Sequence, residues 1–169
     1  MAANNDLLDL EQIKQLKTRY CRFVDTKQWA RLRALFTEDV RFEGLGSAPT
    51  GATLDMFITG ISTRFRDAVS IHYCPNPDIV MTGPDTARGI WSMMDYVQWP
   101  TGFSPREAPD ATGFRGYGHY EEEYRRQGNE WRIAFLRLTR IRIDPIGAGD
   151  PQPTPRLLGL SPNWLGLPT

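Results

Sequence analysis

Leu10, Ile13, Leu16, Tyr20, Phe23 and Val24 recur at helical spacing and mark the apolar stripe of a first helix. Asp9 followed three residues later by Gln12 has the form of a capping box, which predicts the start of that helix. Trp29, Leu32, Leu35 and Phe36 predict a second helix, and Thr37-Glu38-Asp39 leads into a short strand at Val40–Glu43. The stretch from Gly44 to Gly51, with Pro49, is turn chemistry. Thr53 then caps a third helix bearing Met56, Phe57, Ile61 and Phe65.

From Val69 the period changes to that of strands. Ser70–Cys74 is cut off by Pro75 and Pro77, Asp78–Thr82 ends at the turn Gly83-Pro84-Asp85, and a long strand follows from Thr86 to Trp99. Alternation puts Ala87, Gly89, Trp91, Met93, Asp95, Val97 and Trp99 on one face of it. Pro100 to Gly113 is rich in proline, glycine and charge, and reads as a mobile flap. Phe114–Arg126 and Trp131–Asp144 form two more long strands, joined at Gln127-Gly128-Asn129-Glu130 by a hairpin turn.

Three N-terminal helices followed by long, mostly antiparallel strands predict an α+β fold, a cone-shaped barrel whose curved sheet wraps the helices and leaves a pocket. One domain is expected over residues 1–144. The remaining residues, 145–169, combine prolines with Leu157, Leu158, Leu160, Trp164, Leu165 and Leu167. That tail is too broken for a helix and too apolar for a solvated linker, so it is expected to pack on its own domain or on a neighbouring subunit.

Composition narrows the partners. Lysine plus arginine equals aspartate plus glutamate at 20 each, so no net field draws the chain to nucleic acid or to an anionic membrane. No run approaches the roughly 20 apolar residues of a membrane span, and the N-terminus lacks the form of a signal peptide. A cytoplasmic protein acting on a small hydrophobic molecule is expected, and the long strands offer a face for a homodimer or homotrimer. Two cysteines and two histidines make a poor metal inventory. Neither a metal nor a cofactor is expected, and Cys21 and Cys74 read as reduced core thiols.

His72, in the middle of Ser70-Ile71-His72-Tyr73-Cys74, needs a polar partner if buried. Asp25, at the end of the first helix, is the best candidate. Such a pair suits proton transfer: a neutral imidazole removes a proton while the carboxylate orients it. Each residue also has a plainer role: His72 could satisfy a helix end or a loop carbonyl, and Asp25 could cap the second helix. Tyr20 could donate to a departing hydroxyl or sit in the core. Asp95, on its apolar face, could be kept protonated as an acid or pair with an arginine on a neighbouring strand. Trp91 and Trp99 suit a flat apolar substrate if they line a cavity. Glu121 to Glu123 face Arg137, Arg140 and Arg142 as cross-strand ion pairs or a subunit contact. His119 alternates out of phase with Tyr120, so it leaves the pocket if Tyr120 enters it.

Three blocks together resemble the opening of SnoaL-like proteins of the nuclear transport factor two-like superfamily: Ile13 to Tyr20, Val24-Asp25-Thr26-Lys27-Gln28-Trp29, and Leu35 to Val40. Ile71-His72-Tyr73, Thr86-Ala87-Arg88-Gly89, Gly118 to Tyr124 and Gly128 to Ile133 follow in the expected order. Within that superfamily the pattern is similar to cofactor-free lyases such as scytalone dehydratase, bile acid 7α-dehydratase and hexachlorocyclohexane dehydrochlorinase. The resemblance implies an Asp25/His72 catalytic pair, with Tyr20 and Asp95 assisting, and a dehydratase; an isomerase, a polyketide cyclase or a non-catalytic binding protein are the other outcomes on this fold. It also implies a late arginine, either Arg137 or Arg140. Arg140, Tyr120, Trp91 and Trp99 are the residues expected to face substrate. Val24 stands where scytalone dehydratase has a tyrosine, and Gly118 and Tyr120 replace its serine and asparagine, so substrate identity does not carry over.

Overall fold

The computed structural model describes residues 2–100, 102–151 and 164–165. Among them the order is α1 (Ala2–Asp25), α2 (Trp29–Arg33), β1 (Phe36–Glu43), α3 (Leu54–Arg64), β2 (Val69–Tyr73), β3 (Pro77–Gly83), β4 (Thr86–Gln98), β5 (Gly113–Gln127) and β6 (Glu130–Ile146). The sheet runs β1-β6-β5-β4-β2, and β3 also pairs with β4. Every pairing is antiparallel except β1 with β6. The predicted α+β cone is therefore the observed architecture: three helices packed on one face of a curved, mostly antiparallel sheet.

Alternation on the long strands decides what reaches the interior. Ala87, Trp91, Met93, Asp95 and Val97 of β4 are buried, as are Phe114, Gly116, Gly118, Tyr120, Glu122 and Tyr124 of β5. Ile13, Leu16, Tyr20 and Val24 of α1 close over them, with Phe36, Phe42 and Phe57 stacked or edge-on to one another at the base. The opposite face exposes Ile71, Tyr73, Val80, Ile90, Met94 and Ile141.

Several boundaries differ from expectation. α1 starts at Ala2, seven residues before Asp9. Asp9 is no cap: its buried carboxylate accepts from Trp131 Nε1 at 3.1 Å and pairs with Arg126 at 2.5 Å, tying α1 to the hairpin end of the sheet. The second helix is one turn, and Phe36 opens β1, which is eight residues long. A parallel partner, Ile133 of β6, gives Phe36 a ladder position that helical periodicity cannot reveal. Thr53 caps α3, accepting from the Met56 N–H, while Met56 itself faces solvent. β6 continues two residues past Asp144. Most of the proline-rich tail lies outside the described residues; within them, Gln98 donates to the Pro151 carbonyl at 3.3 Å.

Candidate active site

The C-terminus of α1 is a Schellman-type stop. Gln28 N–H bonds the Phe23 carbonyl at 2.9 Å and Lys27 N–H bonds the Val24 carbonyl at 3.2 Å, with Lys27 left-handed at φ 61°. That stop leaves Asp25 as the last helical residue. A carboxylate there opposes the helix dipole, at a cost of about 0.3–1 kcal/mol. Gln28 stands at the N-cap of α2 and no side chain caps that helix, so Asp25 does not cap it.

Asp25 instead reaches β2. Its Oδ2 accepts the backbone N–H of His72 at 2.8 Å, and its Oδ1 lies 2.6 Å from His72 Nδ1. A carboxylate only accepts, so the proton of neutral His72 sits on Nδ1 and Nε2 keeps its lone pair. The His72 side chain is 5% exposed and its ring stacks on Phe65. Lys27 donates to Ser70 Oγ at 2.9 Å beside the pair; burial, offset in part by Asp25, pushes its ammonium down to about 8.

Asp95 faces His72 directly across the β2–β4 register. Its carboxylate does not stand alone on an apolar face: Arg140 donates to both oxygens, Nη1 to Oδ1 at 2.9 Å and Nη2 to Oδ2 at 2.7 Å. The guanidinium engages both oxygens, so Asp95 is the partner of an arginine from the last strand. A bulge in β6, where Ala134 is skipped between the partners of Glu123 and Tyr124, shifts the alternation from Trp131 and Ile133 to Leu136, Leu138 and Arg140, and so turns Arg140 inward. Arg137 faces out, bonding Glu121 at 2.5 Å and lying 3.5 Å from Glu43. Gly116 makes the inner pair possible, since a Cβ there would lie 1.9 Å from Arg140 Nη1 and 2.2 Å from Asp95 Oδ1.

Tyr20 is buried edge-on to Tyr120 and Phe36. Burial pushes both phenols well above the usual range. Such hydroxyls give hydrogen bonds rather than protons. Trp91 is buried and donates to Tyr124 Oη at 2.7 Å. Trp99 donates to the Arg64 carbonyl at 2.8 Å and stacks on Phe103, at the root of the 102–112 segment. That segment is tied down where Arg64 pairs with Glu107 at 2.5 Å. His119 faces away from the interior, as its alternation with Tyr120 implies.

Sequence reasoning missed Lys17. Its ammonium is buried 3.5 Å from the centre of the Tyr120 ring and 4.3 Å from that of Tyr20, in an ion pair with Glu122. Burial opposes its charge, but Glu122 together with the nearby Cys74 and Cys21 more than offsets it and holds the ammonium above its ordinary range. Tyr124 in turn donates to Glu122 Oε2 at 2.5 Å. Glu122 is thus no member of the outer ion-pair set; only Glu121 and Glu123 are. Strand parity was the available signal, since Glu122 shares a face with Tyr120 and Tyr124.

Among the described residues, clefts of about 600 and 490 Å³ lie against α1 and the β5–β6 hairpin and on the outer sheet face, and neither is lined by Asp25 or His72. No group of three or more histidine, cysteine or acidic side chains among them could hold a metal ion. No helix among them is long and apolar enough to cross a membrane.

Residues 5–137 match the SnoaL-like domain. The chain belongs to that family. A relative from Gibberella zeae named a probable cyclase is 25% identical over 141 residues, which are 76% of this chain and 89% of the relative. A hexachlorocyclohexane dehydrochlorinase from Novosphingobium barchaimii superposes with a TM-score of 0.73 at 17% identity, covering 90% of this chain and 99% of that one. A candidate scytalone dehydratase from Novosphingobium aromaticivorans superposes with a TM-score of 0.72 at 18% identity, covering 91% and 98%. At these identities the two structures share the fold. On that fold this SnoaL-like chain places Asp25 against His72.

Proposed function

We propose that this SnoaL-like protein is a cofactor-independent lyase of the dehydratase type, acting on a hydrophobic hydroxylated ring compound. The observation that carries this reading is the double hydrogen bond from His72 to Asp25, which leaves Nε2 as the free base. Nε2 takes a proton from a carbon next to a carbonyl, and Asp25 stabilises the imidazolium that forms. The neighbouring carbon–oxygen bond then breaks, the imidazolium proton leaves with the hydroxyl as water, and an alkene remains. Tyr20 and Tyr120 supply neutral hydrogen bonds. Arg140, held by Asp95, supplies a fixed positive charge toward the developing enolate. Because His72 is almost fully covered, substrate enters when the 102–112 segment lifts from Trp99 and Arg64.

A second reading, a cyclase, has one observation in its favour: the name of the Gibberella zeae relative. There the same base forms a carbanion that attacks a carbonyl of the same molecule. Product mass separates the two on a panel of hydroxylated steroids and polyketides, since elimination loses one water and addition keeps the mass. His72→Ala and Asp25→Asn, both folded, are expected to stop turnover. Full activity in both, or binding of panel members without any conversion, would move the assignment to a ligand-binding protein.

A further inference from the structure

The cysteines play no part in that chemistry, yet they stand together. Cys21 of α1 and Cys74, just past β2, are 53 positions apart in the chain, and their sulfurs are 3.4 Å apart with the Cys21 thiol donating to Cys74. Both are free and half-buried. Asp25 lies one helical turn after Cys21, and His72 lies two residues before Cys74. The thiol pair and the Asp25–His72 bonds therefore bridge the same two elements side by side.

The geometry points to Cys21 and Cys74 as a modification site, a dithiol that a small-molecule disulfide converts into an intramolecular cross-link between α1 and the end of β2. A bond requires the sulfurs to close by about 1.4 Å, within reach of side-chain rotation when two thiols already touch. The two sulfurs are not equivalent. Hydrogen bonding from Cys21, with Lys17 nearby, favours the Cys74 thiolate against its burial, whereas the same contact and burial push the Cys21 thiol far up. Cys74 is thus the attacking sulfur. Its thiolate attacks one sulfur of the external disulfide, forming a mixed disulfide and expelling one thiolate. Cys21 then loses its proton and attacks Cys74 Sγ, expelling the second thiolate. The protein gives up two protons and two electrons, a loss of two hydrogen atoms in all, and the external disulfide becomes two thiols.

The site is separable from the proposed function, because its formation is read by mass rather than by turnover. The reduced full chain is incubated with oxidised glutathione, and intact mass and free thiols are measured. The expected product is a monomer lacking two hydrogens, with no titratable thiol and no retained glutathione, fully restored by dithiothreitol. In Cys21→Ser the reaction is expected to stop at a stable glutathione adduct on Cys74, and Cys74→Ser is expected to react at least tenfold more slowly. Circular dichroism confirms that both variants are folded. Glutathione retained on both cysteines, covalent dimers, or thiols that react only in denaturant would overturn the proposal. Faster reaction of Cys74→Ser than of Cys21→Ser would overturn it as well.

Discussion

Asp25 holds His72 by two separate N–H groups, one of the backbone and one of the ring, at 2.8 and 2.6 Å. The backbone bond fixes where the carboxylate sits, and the ring bond fixes which nitrogen carries the proton. Asp25→Asn cannot keep both with the same polarity, because one amide terminus is a donor. If the amide N–H₂ meets Nδ1, the imidazole takes the other tautomer and Nε2 loses its lone pair. The expected outcome is a fall of about 10²–10⁴-fold in kcat with a smaller change in KM. Steady-state kinetics on a converted panel substrate, beside a thermal melt showing a folded protein, checks it. A fall in KM-dependent terms alone would count against an orienting role.

Gly116 is the space in which Asp95 and Arg140 meet. Gly116→Ala places a methyl about where Arg140 Nη1 now lies, and both atoms it meets first belong to the ends of side chains that can shift. Shifting them loosens a bidentate pair with little water at hand. A loss of about 1–3 kcal/mol is expected from denaturant unfolding. Gly128→Ala at the hairpin turn is the comparison: its added Cβ meets nothing within 4 Å, although its φ of 62° is strained. About 1 kcal/mol is expected there.

The cone was readable because long strands carry their own period. Trp91, Met93, Asp95 and Val97 alternate without interruption over β4, and the structure buries all of them. Where a register shifts, the pattern along one strand cannot tell which side a residue takes: Arg137 and Arg140 differ by three positions and face opposite ways, and the bulge at Ala134 that decides which of them turns inward has no side-chain period to signal it. Asp25 and His72 could be paired from burial logic, since a histidine in an apolar strand needs a partner. Lys17 could not, because a lysine inside a helix is solvated by default. Its burial is decided by Glu122, 105 residues away. Asp9 failed for a similar reason, its capping pattern being genuine as a local signal and overridden by Trp131 and Arg126.

The Lys17–Glu122 pair is a buried ion pair whose remaining lone pair is satisfied by Tyr124. Removing one partner leaves an uncompensated charge in the core. Lys17→Met and Glu122→Gln are each expected to cost about 3–5 kcal/mol in chemical unfolding. The double variant is expected to cost less than the sum of the two, because neither charge is then stranded. Additive losses would mean that the two groups do not depend on each other.

Lys27 is a cation that the fold holds against its preference, its value falling from an ordinary 10.5 to about 8 chiefly through burial. The unfolded chain therefore binds this proton more tightly than the native one between those values. Stability from this group rises as pH climbs from about 8 to about 10.5, and its penalty is fully present below 8. Lys27→Met removes the charge while keeping the side-chain length and the left-handed backbone. Its melting temperature is expected to exceed that of the parent at pH 7, and the advantage is expected to shrink steadily as pH rises from about 8 toward 10.5. Parallel melts of the two proteins across that range test this directly, since titrations shared by both cancel in the difference. An advantage that stays constant with pH would assign the effect to packing against Phe65, whose ring centre lies 5.4 Å from the ammonium, rather than to the proton.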